Sequence, residues 1–145
     1  MATDAGNIGQ ILEAKGDLDG ALSYLQRALK IDEKVYGPDH PEVAACSNII
    51  GSILEDKGDL EGALSYTQRA LKIDEKVFGP DHPKVAVDAN NIGTILAAKD
   101  DLKGALSYTQ RALKIGEKVY GPDHPTTKAI AANLAKIEAQ TAKQH

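Results

Sequence analysis

Five sets of residues in this sequence could do chemistry or bind a partner, and four of them recur at a fixed interval. His40, His82 and His124 stand in identical Gly-Pro-Asp-His-Pro segments, 42 residues apart. Imidazole is a common metal ligand, but helix-packing distances place equivalent positions of successive repeats on the order of 10 Å apart. One ion held at about 2 Å by each ligand cannot bridge that gap. Helix capping explains the Asp-His-Pro loops better, and no metal or other cofactor is expected. Ser23, Ser65 and Ser107 are likewise repeat residues. Cys46 has no sequence neighbour that would lower its thiol pKa. Its repeat counterparts are Asp4 and Asp88, so it is expected at a solvent position and open to thiol reagents. No catalytic residue is assigned, and an enzyme is not expected.

Charge and polarity offer two binding surfaces instead. Arg27, Lys30 and Lys34 fall on one helical face, and the set returns as Arg69, Lys72, Lys76 and as Arg111, Lys114, Lys118. This stripe reads either as a solvated face balanced by Glu33, Glu75 and Glu117, or as a site for an acidic partner. The second surface is an amide ladder. Asn7, Ile49, Asn91 and Asn133 occupy one repeat position; Asn48 and Asn90 precede the middle two, and one turn later come Gln10, Ser52, Thr94 and Lys136. Primary amides carry donors and acceptors together, which suits the backbone of an extended peptide. Asn in a helix interior could equally serve to cap or to pack between helices.

The elements that position these residues follow from the 42-residue period. Between Gly16–Val43 and Gly58–Val85, 24 of 28 positions are identical. Each unit reads as two helices. In the second copy, helix A runs from about Pro41 to Lys57 with Val43, Ser47, Ile50, Gly51 and Leu54 on one stripe. Gly58 ends it in the left-handed conformation. Helix B runs from about Leu60 to Phe78 with Leu60, Ala63, Leu64, Thr67, Ala70, Leu71 and Val77 inward, and Gly79 stops it. Asp39 and Glu42 form a capping-box pattern around Pro41 in the first turn. Asp100 replaces the helix-ending glycine in the third copy, a substitution that Asp tolerates. Gly116 stands where the other copies have Asp32 and Asp74, and is expected to loosen the third helix B.

After Pro125 the pattern starts a fourth time, with Ala129, Asn133, Leu134 and Ile137 in register, but Glu138 replaces the apolar Leu96. A polar residue there suits a closing helix. The fold expected is an all-α, right-handed α-solenoid of seven helices: three helix pairs and a C-terminal capping helix. The whole chain, 1–145, is one array, with repeats at about 3–38, 39–80 and 81–122 and the capping helix at about 125–143. The chain begins inside the repeat without the Asp-His-Pro lead-in, which suggests an excerpt from a longer array.

The helix pair resembles the tetratricopeptide repeat, whose L-G-x2-Y and A-x3-F signatures are matched by Ile8-Gly9 with Leu12 and by Ala21 with Leu25, with Ala28 following. The 42-residue unit is similar to the kinesin light chain and nephrocystin-3-like subclass. That resemblance implies a protein-interaction scaffold whose helix A side chains line a concave groove. The groove set is then Asn7, Gln10, Asn48, Ile49, Ser52, Asn90, Asn91, Thr94, Asn133 and Lys136. Self-association by end-to-end stacking or helix exchange is the alternative. Where the family usually has an aromatic at A-x3-F, this chain has Leu25, Thr67 and Thr109, with Tyr24, Tyr66 and Tyr108 one residue earlier. Either the tyrosines swing inward or the helix B core is thin.

Composition narrows the partner. The net charge of −4 and pI near 5.5 are wrong for a chain whose task is binding nucleic acid or an anionic membrane. A protein or peptide partner is expected. One cysteine permits no internal disulfide. No apolar run approaches the ~18 residues of a spanning helix, and Met1 to Gly6 has no signal-peptide pattern, so a cytoplasmic location is expected.

Overall fold

The computed structural model describes Leu12 and residues 14–144. Six helices lie among them: α1 (Leu18–Tyr36), α2 (Pro41–Asp56), α3 (Leu60–Phe78), α4 (Pro83–Ala98), α5 (Leu102–Tyr120) and α6 (Pro125–Lys143). No strand occurs among the described residues, so the chain is all-α there. The first of the seven expected helices falls outside the described residues, apart from Leu12 and Ala14, which are helical. Asn7 and Gln10, and the Ile8-Gly9 pair, lie outside them too.

Helix ends follow the sequence chemistry with one correction. Gly58 at φ 86° and Gly79 at φ 94° take the left-handed conformation that ends α2 and α3. Asp100 takes it at φ 67°, the one non-glycine residue to do so among those described. The N-caps of α2, α4 and α6, however, are the histidines and not the aspartates before them. In each, the imidazole Nδ1 accepts from the backbone N–H two residues on: His40 from Glu42, His82 from Lys84 and His124 from Thr126, all at 3.1 Å. Each ring also stacks on the aromatic that closes the preceding helix, Tyr36, Phe78 and Tyr120, with centroids 4.3–4.4 Å apart. An aromatic platform lets an imidazole replace the smaller Asp cap. The recurrent histidines are therefore structural, and they explain the aromatic that precedes each Gly-Pro-Asp-His-Pro segment.

The chain divides into two units, Met1–Ile73 and Asp74–His145. In the first, α2 packs against α1, and Val43, Ala44, Ser47 and Ile50 of α2 are all buried. The Cys46 thiol donates to the Leu25 carbonyl oxygen at 3.3 Å. Along α3, Ala63, Thr67, Ala70, Leu71 and Ile73 are buried. Val77, in contrast, is 44% exposed, so the inward stripe of helix B stops a turn short of where periodicity placed it.

In the second unit α4 lies on α5 and α5 on α6. Val85, Ala89, Ile92 and Ile95 of α4 are buried with Ala105, Ala112 and Ile115 of α5 and Ile130 and Ile137 of α6. Gly116 faces Thr127 and Ile130 of α6 closely, and α5 continues through it to Tyr120.

The A-x3-F position is settled by pairing with glycine. Leu25, Thr67 and Thr109 are all buried, while Tyr24, Tyr66 and Tyr108 stay half-exposed. A Cβ on Gly51 would lie 2.5 Å from Thr67 Oγ1, and one on Gly93 would lie 2.2 Å from Thr109 Oγ1. The glycine therefore removes the volume an aromatic would have needed, and the helix axes approach until a threonine fills the gap. The tyrosines do not swing in.

Cys46 corrects the expectation of a solvent position: it is 6% exposed, and Asp88, its counterpart, is 1% exposed. Type alone misled here, because a carboxylate at this repeat position is inside. Burial pushes the Cys46 thiol up to about 12, with Asp32, Glu42 and Glu33 adding repulsion against the thiolate. Maleimide or disulfide reagents at pH 8 are expected to leave native Cys46 unlabelled and to modify it fully in urea. Rapid native labelling would contradict the burial. The sign with pH follows from linkage. The folded thiol holds its proton above the pH at which an unfolded one loses it, so this contribution to stability is fully present below the ordinary thiol value of 9.0 and is lost as pH rises from there towards about 12.

Candidate functional site

Of the expected groove residues, Asn48, Ile49 and Ser52 lie on α2 in the first unit, the first two half-buried and Ser52 exposed. Asn90, Asn91 and Thr94 on α4, and Asn133 and Lys136 on α6, lie in the second unit. There the structure brings several together. Asn133 Nδ2 donates to Asn90 Oδ1 at 2.9 Å and to Thr94 Oγ1 at 3.1 Å, and Thr94 Oγ1 bonds the Asn90 carbonyl oxygen one turn back at 3.1 Å. The amide donors of Asn133 are thus spent on joining α6 to α4. Part of the ladder packs helices together, as the competing reading of these asparagines held.

Below this network α4 and α6 enclose a cleft of about 490 Å³. Thr94, Ala97 and Ala98 of α4 and Ile137 and Ala139 of α6 form most of its floor; Asn133, Lys136, Gln140 and Lys143 supply its polar edge. Gln140 and Lys143 were missed by sequence reasoning. Their signal was available, since 136, 140 and 143 share one helical face at four-and-three spacing. No carboxylate lines the cleft. Two ammonium groups and a side-chain amide beside small apolar residues can hold a peptide segment by hydrogen bonds while a short apolar side chain enters the floor.

The basic stripe is partly occupied within the chain. Arg69 reaches Glu33 Oε1 at 3.4 Å and the Pro38 carbonyl oxygen at 3.5 Å. Arg111 meets Glu75 at 3.4 Å, and Lys118 meets Asp81 at 2.9 Å. These pairs tie a helix B to the end of the preceding helix B or to the loop after it. Among the described residues, no group of three or more His, Cys, Asp or Glu is placed to hold a metal ion, and no helix is long and apolar enough to cross a membrane.

Helix pairs at a 42-residue period, with a glycine of helix A seated on a threonine of helix B, define a helical-repeat protein. The tetratricopeptide repeat profile matches residues 1–76, 46–115 and 89–145, and the chain belongs to that family. Members of it generally act as scaffolds for protein interactions, and the fold is typically non-enzymatic. Among solved structures the chain is similar to BtubC (BKLC) from P. vanneervenii, at 22% identity and TM-score 0.80 over 99% of this chain and 62% of that one. It is also similar to a kinesin-light-chain-like protein of nearly identical TPR-like repeats from Podosopora anserina, at 17% identity and TM-score 0.85 over 93% of this chain and 64% of that one. The apo form of RapI is similar at 22% identity and TM-score 0.85 over 98% of this chain and 50% of that one. The chain thus spans between half and two thirds of the length of these proteins. A comparison with curated proteins found no match.

Proposed function

We propose that this chain is a protein-interaction scaffold that holds an extended peptide segment against helix A side chains, with the α4–α6 cleft as the best-formed part of the site. The observation that carries this reading is that Thr94, Asn133 and Lys136, three members of one expected ladder, line a single cleft. Because Asn133 is engaged by Asn90 and Thr94, the groups available to a partner in the second unit are Lys136, Gln140 and Lys143, with Asn91 as a further groove position. The Asn90–Thr94–Asn133 network fixes the cleft wall and does not itself make the contact. In this reading α6 closes an array of three helix pairs within a right-handed solenoid, and the protein works in the cytoplasm.

The face of α6 supports the closing role and weighs against helix exchange between copies. Ala86, Gly93 and Leu96 are buried on α4, but their counterparts Lys128, Ala135 and Glu138 are exposed on α6. A further helix B carrying the repeat's threonine would meet a methyl group at Ala135 and charges on either side.

The test is a peptide-array screen with the full chain, comparing wild type with a Lys136→Ala, Gln140→Ala, Lys143→Ala variant. Three polar contacts at about 0.5–1.5 kcal/mol each correspond to a loss of roughly tenfold to a hundredfold or more for peptides found with the wild type. Melting should barely move, since these side chains are exposed. Replacing Lys72 and Lys114 should change binding little. Retained binding by the triple variant, with loss on the Lys72 and Lys114 variant, would place the site on helix B instead.

A further inference from the structure

Three identical imidazole caps sit in three different electrostatic surroundings. Each Nδ1 accepts the backbone N–H two residues on, an arrangement open only to a neutral ring with its proton on Nε2. A second proton makes both nitrogens donors and turns Nδ1–H against the N–H it had capped. Acid therefore removes the cap and sets a positive charge at the positive end of a helix. What meets that charge differs between copies. Beside His40 are Asp32, 5% exposed, and Glu42; burial and Glu42 raise the Asp32 carboxyl, and attraction to His40 opposes them. In the second copy Asp74 keeps the first of these positions, but Lys84 replaces Glu42. Its Nζ lies 5.0 Å from the centroid of Phe78, the ring on which His82 stacks. The third copy has neither carboxylate, because Gly116 and Thr126 stand at these positions. Asp123 precedes His124 just as Asp39 and Asp81 precede the other rings, and Tyr120 stacks on it as Tyr36 and Phe78 do on theirs. Neither sets the third copy apart. The other charged residues near this corner are Glu117 and Lys118 on α5, with Lys118 held by Asp81, and Lys128 one turn into α6. Among the described residues the imidazole bonds the Thr126 N–H and no carboxylate.

We propose that His124 is a proton-sensitive latch for α6: neutral, it caps the helix, and protonated, it lets the first turn open, while His40 holds α2 through the same change. Histidine is the side chain that ordinarily titrates between about pH 5 and 8. The contribution of the cap is present above that range and is lost as pH falls through it. In the first copy the imidazolium gains Asp32 and Glu42 as it loses the cap; in the third it gains no such carboxylate. Opening spreads from the cap into the packing, since Thr127 and Ile130, each 2% exposed, follow it directly and lie against Gly116. The same helix carries Lys136, Gln140 and Lys143, so acid loosens one wall of the cleft, but the latch does not depend on what the cleft holds.

Amide hydrogen exchange of the full chain, followed by NMR between about pH 7.5 and 5.5 and corrected for the intrinsic pH dependence of exchange, reads the latch. Ile130 and Ile137 report on α6, and the fully buried Ile50 reports on α2. On acidification the opening constant at Ile130 and Ile137 should rise roughly twofold to thirtyfold, the worth of one helix cap, and that at Ile50 should rise less. His124→Asn leaves a capping acceptor that does not titrate, and should abolish the rise at Ile130. Thr126→Glu keeps the imidazole and restores the counterpart of Glu42, and should reduce the rise. This second variant reads the electrostatics even if His124→Asn weakens α6 at every pH through loss of the Tyr120 stack. No rise in wild type, an equal rise in His124→Asn, or a rise at Ile50 as large as that at Ile130 overturns the proposal. An undiminished rise in Thr126→Glu does so too, since the missing carboxylate would then not distinguish the third copy. The triple cleft variant should show the wild-type exchange pattern, so failure here and failure of the cleft reading are separable.

Discussion

Gly93→Ala is expected to destabilise the second unit by about 1–3 kcal/mol, although helix propensity alone argues the opposite sign. Alanine in place of glycine in a helix interior ordinarily stabilises by about 1 kcal/mol. Here the added methyl would sit 2.2 Å from Thr109 Oγ1 and 3.3 Å from the Ala105 carbonyl oxygen. The hydroxyl is on a fully buried side chain, and the carbonyl belongs to the α5 backbone, so neither can move aside cheaply. The helices must separate, and every buried contact along the α4–α5 seam weakens with them. Overpacking of this kind costs about 1–3 kcal/mol beyond any gain in propensity. Urea unfolding gives the measurement. The double variant Gly93→Ala, Thr109→Ala should recover part of the loss, since it removes the nearer obstacle and leaves the 3.3 Å carbonyl contact. A Gly93→Ala midpoint at or above wild type would show that the seam is looser than this geometry. Gly51→Ala should behave alike, with Thr67 Oγ1 at 2.5 Å and the Ala63 carbonyl oxygen at 3.2 Å.

Removing α6 is the second large effect. A chain ending at Gly121 loses Ile130 and Ile137, both at least 98% buried, and the Asn133 bonds that join α6 to α4. Truncating one such isoleucine to alanine costs about 2–5 kcal/mol. Loss of the whole helix therefore exceeds what a single domain of this size usually has in reserve. The third helix pair should fray or aggregate while the first unit keeps its helicity, giving a two-stage urea curve with reduced total amplitude. Ile137→Ala in the full chain is the milder version, with a lowered midpoint and retained solubility. An unchanged midpoint and solubility for the truncated chain would remove the case for α6 as the closing helix.

Local chemistry made much of this protein legible in one dimension. A 42-residue period, the Gly-Pro-Asp-His-Pro punctuation and three-and-four spacing suffice for helix positions, because hydrogen bonding within a helix, a left-handed glycine and a proline in the first turn act over a few residues. The α3 span of Leu60–Phe78 and the left-handed Asp100 follow from such short-range rules. So does family membership, since a repeat is a local pattern written several times. Three-dimensional packing decided the rest. Residue type placed Cys46 in solvent, yet the fold buries it against the Leu25 carbonyl oxygen, because the environment of a helix side chain is set by the neighbouring helix. Capping went to His40 and not Asp39, because an aromatic one linker away supports the imidazole. The asparagine ladder divided in the same way. Identical side chains in register look equivalent along the sequence, but Asn133 meets Asn90 and Thr94 across a helix interface and is spent there. Lys136, Gln140 and Lys143 face the cleft instead. Which members of a repeated set remain free for a partner depends on distances between helices, and these are fixed by close approach at glycines such as Gly93, through contacts that no local pattern specifies.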